Sequence, residues 1–334
     1  MKILIAGGTG LLGSHSAQSM IEEGHEVHAL TLPVNQNLHL PDQLILHTFN
    51  FMTAEATEID SYMEGMDAFV FASGVDERVE FPSPVSKAYD KYNIEPMEKL
   101  LTSAKKMGVK KAIILGSYFA YFAKIWPQFN LSEHHPYIHN RLKQESVAFT
   151  YADDCFSIVV LELPYIFGIQ KGRKPVWSLF IDRFEKPRII FFPKGGTAMV
   201  TAHQVGVAIY HAILYGKSKT SYPLSMVNMT YNELVHHVLD AMHMKKKVIN
   251  VPDWVAILGF KHMQKTYTKK GIEPGLNPKT FGKLFTQKLY IDPNLSSDLK
   301  IPKDDIINAI HESIAYAFEL KKKDLSAHDM KDAL

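Results

Sequence analysis

One cysteine, Cys155, stands in 334 residues, so no internal disulfide can form, and the stapled scaffold of a small oxidised domain is excluded. It lies at the edge of an apolar run, where a small buried residue is expected. Net charge is nearly absent too. The 37 basic and 35 acidic residues leave +2, and Lys245–Lys247 and Lys321–Lys323 are short runs that read as solvated helix ends. A nucleic-acid partner is not expected. No apolar run reaches the ~18 residues that would cross a bilayer, and no repeat or low-complexity stretch occurs. The chain opens directly on an apolar strand, which predicts no cleaved leader and a cytoplasmic protein without a membrane partner. What is present is a 46% hydrophobic composition, enough for a packed globule.

The most informative residues come first. Lys2 to Ala6 is almost wholly apolar, as in a strand buried on both faces, and Leu11 to Glu23 then carries helical spacing that Gly24 ends. Between them lie Gly7, Gly10 and Gly13. Glycine suits a tight turn at 7, close approach of backbone to a pyrophosphate at 10, and tight helix-on-strand packing at 13. The helix start adds a positive dipole end for phosphates. A second strand, Glu26 to Leu32, completes a strand-helix-strand unit, and the run reads as a dinucleotide site.

Apolar runs recur at Leu44–Phe49, Asp67–Ser73, Lys111–Gly116 and Phe156–Leu163, with helices predicted at Ser86–Met107 and Pro136–Tyr151. This alternation predicts an α/β fold with a doubly wound parallel sheet of the Rossmann type. The strand ends Gly7, Asn50, Ser73 and Ser117 then share the ligand edge. Residues 1–168 are expected to form the nucleotide-binding domain, with segments near 196–226 and 289–303 returning to it. The stretches 169–195, 227–288 and 304–334 are assigned to a smaller, mostly helical substrate lobe. Within 169–288 the helices are expected at Tyr231–Met244, Pro252–Lys265 and Pro278–Gln287, and a strand and helix at about Ala198–Leu214 are expected to rejoin the main domain.

Gly116-Ser117-Tyr118 stands at a strand end, and Pro136-Tyr137-Ile138-His139-Asn140-Arg141 opens a helix about twenty residues later. With the glycine triplet, Asn93 and Pro164-Tyr165-Ile166-Phe167-Gly168, these residues resemble the extended short-chain dehydrogenase/reductase family, whose members are often called NAD-dependent epimerases/dehydratases. The resemblance covers the first half of the chain well and the second half in outline. It implies a strand-end serine that polarises a substrate oxygen, a tyrosine that moves its proton, and a lysine four residues after the tyrosine. Ser117 and Tyr137 match the first two. Position 141 is Arg.

At ~100° per residue Arg141 lies about 40° from Tyr137, whereas Lys143 lies about 240° away, so Arg141 is the cation on the tyrosine's face. It keeps the charge and can bond a ribose diol, so some lowering of the Tyr137 pKa is expected to survive. It does not relay a proton. The same resemblance implies cofactor contacts at Gly7, Thr9, Gly10, Leu11, Leu12, Gly13, Thr31, Asn50, Phe51, Ala72, Ser73, Gly74, Asn93, Tyr137, Arg141, Pro164 and Ile166. Thr31 stands where an acid often receives the adenosine ribose and no arginine follows it, so NAD and NADP both stay open. Asn50 also fits a simple strand-end turn.

No metal site is expected: His135 and His139, spaced i, i+4, fall about 200° from Tyr137 at His139 and read as solvent-facing. His134 or His135 can still border a substrate, and His203 reads as structural. Tyr118, Phe119, Tyr121, Phe122 and Trp126 follow Ser117 and either cover the core or, as pocket walls, favour an apolar or aromatic small-molecule substrate. Lys171, Arg173 and Lys174 leave a nucleotide diphosphate open. The expected activity is that of an NAD(P)-dependent oxidoreductase or epimerase acting by hydride transfer. The alternative is an NAD(P)-binding sensor or scaffold whose chemistry has decayed. The resemblance also implies a homodimer built on the Ser86–Met107 and Pro136–Tyr151 helices.

Overall fold

The computed structural model describes residues 1–33, 38–323 and 327. Its main sheet has seven strands in the spatial order Ile45–Thr48, Glu26–Thr31, Lys2–Ala6, Ala68–Phe71, Lys111–Ser117, Ser157–Leu163 and Thr220–Pro223. All neighbours run parallel. Ile3 and Ile5 enter one core with the helices Leu11–Glu22 and Ala202–Tyr215. Leu4 and Ala6 enter the other, with Ala56–Met63, Glu95–Lys106 and Pro136–Thr150. The two-residue period of a strand therefore fills both faces, which is why the first strand carries no polar residue after Lys2. The expected α/β doubly wound sheet is present.

The strand order reverses between Lys2–Ala6 and Ala68–Phe71, which opens a crevice at their carboxyl ends. Gly7 leaves one of these strands and Ala72 the other, so both stand at its mouth.

Three expectations are corrected. The helix foreseen over Ser86–Met107 is broken into Val85–Tyr89, a wide π turn at Asp90–Ile94, and Glu95–Lys106. Pro96 lacks an N–H for the carbonyl of Tyr92, and the wider turn accommodates its ring. The strand Gly196–Thr201 does not join the main sheet; it pairs with Val227–Thr230, Lys288–Leu289 and Tyr165–Phe167 in a smaller one, while the helix after it does return to pack on Leu11–Glu22. Cys155 is exposed. Asp153 accepts the N–H groups of Cys155 and Phe156 at 2.8 and 2.9 Å, and the turn so formed sends Phe156 inward and Cys155 out.

A further core gathers Phe167, Trp177, Phe180, Phe184, Phe192, Tyr231 and Ile310 around the smaller sheet. From this side a strap, residues 272–281, crosses to the main sheet edge. Ile272–Glu273 pairs antiparallel with Phe81–Pro82, and the Glu273 carboxylate accepts from Ser83 Oγ and the Val85 N–H, each at 2.9 Å. No helix among the described residues is long and apolar enough to cross a membrane.

Candidate active site

The glycine turn is built as its chemistry requires. Gly7 has φ +83°, and a Cβ there would lie 2.8 Å from the carbonyl oxygen of Ala72; one on Gly13 would lie 2.3 Å from that of Gly7. Side chains at either position would push apart the turn and the helix packed on it. Gly10 caps the helix Leu11–Glu22 with no side chain, and no acid occupies the first turn. The N–H groups at this helix start suit an anion, and the residues present fit a dinucleotide phosphate. Leu11 and Leu12 are half-buried beside them.

Two of the expected cofactor contacts, Thr31 and Asn50, engage their side chains within the protein itself. The Thr31 hydroxyl meets that of Thr9 at 2.8 Å and donates to the Leu32 carbonyl at 2.9 Å, and both threonines are buried. Asn50 is exposed, with its side-chain oxygen on the Met52 N–H at 3.1 Å, the simple turn also weighed for it. Phe51 is buried in the same core as Leu30 and Ile59. Ala72, Ser73, Gly74 and Ile166 are half-buried, and Pro164 is buried.

Asn93 shows where the polar capacity of the crevice goes. Its side-chain oxygen accepts the Val75 N–H at 2.7 Å, and its amide donates to the Val75 carbonyl at 3.1 Å and to Asn140 at 2.9 Å. It therefore holds the segment after the fourth strand instead of facing a ligand. Arg141 joins this clamp, donating to the same Val75 carbonyl at 3.1 Å and to Gln144 Oε1 at 2.8 Å, while Gln144 donates to the Asn93 carbonyl at 3.2 Å. The Arg141 Nε–H is buried and meets no acceptor among the described residues.

The guanidinium lies 5.0 Å from the centre of the Tyr137 ring, so the helical arithmetic that pairs the two residues agrees with the geometry. Ser117 caps the helix Tyr118–Ile125, its hydroxyl oxygen accepting the Phe119 N–H at 3.4 Å, and the Phe119 ring stands edge-on to Tyr137 at 6.4 Å. Ser117, Tyr137 and Arg141 are all buried. The Tyr137 phenol is nevertheless raised above its ordinary value. Burial does this; Arg141 pulls it down, and Glu77 and Asp76 add to the rise. The expected lowering by Arg141 is present but outweighed.

Asp76, Glu77 and Arg78, on the segment clamped at Val75, were not picked out from the sequence. Arg78 pairs with Asp76, its Nε 3.0 Å from one carboxylate oxygen. Burial pushes Glu77 up, and Asp76 adds to it. Its charge, when present, raises the Tyr89, Tyr118, Tyr137 and Tyr165 phenols. Three consecutive charges just past a strand's carboxyl end were the available signal.

The strap closes the other side. The Tyr137 N–H donates to the Gly275 carbonyl at 3.0 Å, and the Tyr89 ring stands 5.6 Å from Tyr137. His135, expected in solvent, is fully buried, because its Nδ1 accepts the Asn277 N–H at 3.0 Å beneath the strap. That bond leaves the hydrogen on Nε2. Burial, with the neighbouring His134, lowers its pKa to about 4 and keeps the ring neutral. His139 is exposed and meets Ser132 at 3.1 Å. His203 meets Asp304 at 3.2 Å, a structural contact. No group of three or more metal-ligating side chains occurs among the described residues.

Comparison with known proteins adds to this geometry. The sequence profile of the NAD dependent epimerase/dehydratase family matches residues 3–200. A UDP-glucose 4-epimerase of Klebsiella pneumoniae is 30% identical over 132 residues, 36% of this chain and 92% of that protein. The crystal structure of gox2253 superposes with a TM-score of 0.73 at 16% identity, covering 96% of this chain and 98% of its own. A UDP-glucuronic acid 4-epimerase from Bacillus cereus, in complex with UDP-glucuronic acid and NAD, gives 0.69 at 13% identity over 96% and 100% of the two chains. At these identities the structural likeness concerns the fold.

Proposed function

The chain belongs to the NAD-dependent epimerase/dehydratase family and is an NAD-dependent enzyme, and on that premise we propose that it oxidises or epimerises a hydroxyl-bearing carbon of a small organic substrate, with Tyr137 as acid and base. The observation that carries this reading is the buried trio of Ser117, Tyr137 and Arg141 at the edge where the glycine turn opens. Gly7, Gly10 and Gly13 would hold the dinucleotide phosphates, Ala72 to Gly74 with Pro164 and Ile166 its nicotinamide end. The Arg141 Nε–H would meet a ribose hydroxyl. Bound NAD supplies the hydride acceptor and, when oxidised, a positive charge that joins Arg141 in favouring the Tyr137 phenolate.

Ser117 donates its hydroxyl hydrogen to the substrate oxygen. Tyr137 takes the proton of that oxygen as the carbon loses its hydride and the carbonyl forms; return of hydride to the opposite face, with Tyr137 giving the proton back, inverts the centre. Because burial keeps Tyr137 protonated at rest, carbonyl reduction is the direction it serves without help. Tyr118, Phe119 and Tyr89 share one buried cluster with Tyr137, and Tyr165 packs against it, which supports a substrate whose apolar or planar part rests against that cluster.

The test is to load the protein with NAD or NADH and screen UDP-glucose, UDP-N-acetylglucosamine and UDP-glucuronic acid beside alcohols and carbonyls that carry no nucleotide. Turnover in the wild type, lowered about 10²- to 10⁴-fold in Tyr137→Phe with cofactor binding unchanged, supports the reading. Binding without turnover anywhere in the panel, with activity created by Arg141→Lys, supports the decayed sensor instead.

A further inference from the structure

Charge is segregated along the chain. Residues 243–288 hold ten lysines, no arginine and two acids, so this stretch carries +8 where the whole chain carries +2. At its centre lies the helix Asp253–Lys270, of whose 18 residues only Ala256 is buried. Its inner side is anchored: the Phe260 ring stands edge-on to Phe281 and Phe285 of the helix Pro278–Phe285, at 5.6 and 5.5 Å. The outer side meets water. At ~100° per residue Trp254, Leu258, Lys261, Lys265 and Lys269 fall within about 80° of one another, and all five are exposed. Trp254 is 65% exposed and Leu258 54%, and no acid shares the stripe.

The apolar surface continues on the strand Ile189–Pro193, which packs beside this helix. Ile190 and Phe192 are buried, so alternation sends Ile189 and Phe191 outward, and Phe191 is 58% exposed. The parallel partner strand Lys247–Val251 sets Lys247 opposite Ile189, while Arg188 and Lys194 flank the strand, all exposed. Lys247, Lys261, Lys265 and Lys269 make no ion pair among the described residues.

Exposed tryptophan, leucine and phenylalanine gain by leaving water, and unpaired cations around them attract a surface of opposite charge. Lysine is a hydrated point charge without the planar fork that grips a single carboxylate, and it is depleted at protein–protein interfaces. Apolar anchors among lysines match the boundary of an anionic bilayer, where aromatic rings enter the headgroup layer and ammonium groups rest against lipid phosphates. The absence of a spanning helix bears on crossing a membrane and not on lying against one.

We propose that the outer face of the helix Asp253–Lys270, with the neighbouring strand Ile189–Pro193, docks on an anionic lipid bilayer, Trp254, Leu258 and Phe191 entering the headgroup layer and Lys261, Lys265 and Lys269 binding its charge. The helix leads straight into the strap: Gly271 ends it at φ +66°, and the Gly275 carbonyl accepts the Tyr137 N–H. A docked helix thus shares its chain with the cover of the active site.

The experiment is co-sedimentation of the full chain with vesicles of phosphatidylcholine alone and of phosphatidylcholine mixed with phosphatidylglycerol. Wild type, Trp254→Ser and the triple variant Lys261→Gln, Lys265→Gln, Lys269→Gln are compared, each checked by thermal melt. The wild type is expected to bind the mixed vesicles, to release them as salt rises, and to show a blue shift of Trp254 emission, read against Trp254→Phe. Trp254→Ser is expected to weaken binding about tenfold, and the triple variant roughly 10- to 100-fold. Binding to neither vesicle, equal binding to both, or equal binding by all three proteins overturns the inference. A dimer that Trp254→Ser dissociates, or retention on RNA or heparin, with vesicles ignored in either case, gives the face to a second copy or another polyanion and overturns it too.

Discussion

Arg141 is where this chain departs from the lysine that the family resemblance implies, and the structure gives its replacement a measurable consequence. Its guanidinium makes two charge-assisted bonds, to Gln144 at 2.8 Å and to the Val75 carbonyl at 3.1 Å, and packs against the Tyr137 ring. Such bonds contribute about 1.5–3 kcal/mol each. The Nε–H, which has no acceptor among the described residues, and the cost of burying the cation offset part of this. Arg141→Met is therefore expected to lose about 2–4 kcal/mol, mostly because Gln144 Oε1 loses its donor in a buried site. Arg141→Lys reaches only one acceptor and is expected to lose about 1–2 kcal/mol. Urea midpoints followed by circular dichroism read both values. The electrostatic sign is fixed as well: without the cation the Tyr137 phenol rises further, so the alkaline tyrosine titration, with Tyr137→Phe as the blank, moves upward in Arg141→Met. A methionine variant within 0.5 kcal/mol of wild type, with the titration unmoved, would refute the clamp.

Gly13→Ala places a methyl 2.3 Å from the Gly7 carbonyl oxygen and 2.7 Å from the Gly8 Cα, both backbone, so a loss of about 1–3 kcal/mol and at least tenfold weaker NAD binding are expected by denaturation and calorimetry. Glu162 is buried and its pKa is raised to about 7 by that burial, only partly offset by Lys124 at 2.9 Å. A folded pKa above the unfolded one makes the protonated form the stable one, so this group's contribution is present below about pH 4.5 and is lost as pH rises through about 7, a fall of about 3 kcal/mol. Glu162→Gln is expected to flatten that stretch of the stability profile; an unchanged slope contradicts the burial argument. Gly275→Ala sets a methyl 1.9 Å from the Tyr89 hydroxyl and 3.2 Å from Tyr137 Cβ, and is expected to lift the strap, seen as faster amide exchange at Tyr137. Unaltered protection there would show that the strap has room.

What was legible in the sequence follows from locality. A two-residue period, a glycine turn and a helical spacing are short-range patterns, so six strands of the main sheet, the Gly7–Gly13 turn and the pairing of Tyr137 with Arg141 could be read directly, whereas the seventh strand, Thr220–Pro223, could not. Asn93 could not be assigned its role, because the Val75 backbone that occupies its amide lies 18 residues away. His135 was misread for the same reason: its helix says nothing of Asn277, 142 residues on, whose N–H buries it. The Tyr137 pKa turned on burial against charge, and spacing reports only the charge.

The account stands most directly on the absorbance at 340 nm of NAD-loaded protein mixed with substrate from the panel, in wild type and Tyr137→Phe matched for NAD affinity. It predicts a reduced-cofactor band in the wild type, lasting if the substrate is oxidised and transient if the hydride is returned to it, forming at least 100-fold more slowly in the phenylalanine variant. Equal rates in the two proteins would contradict it.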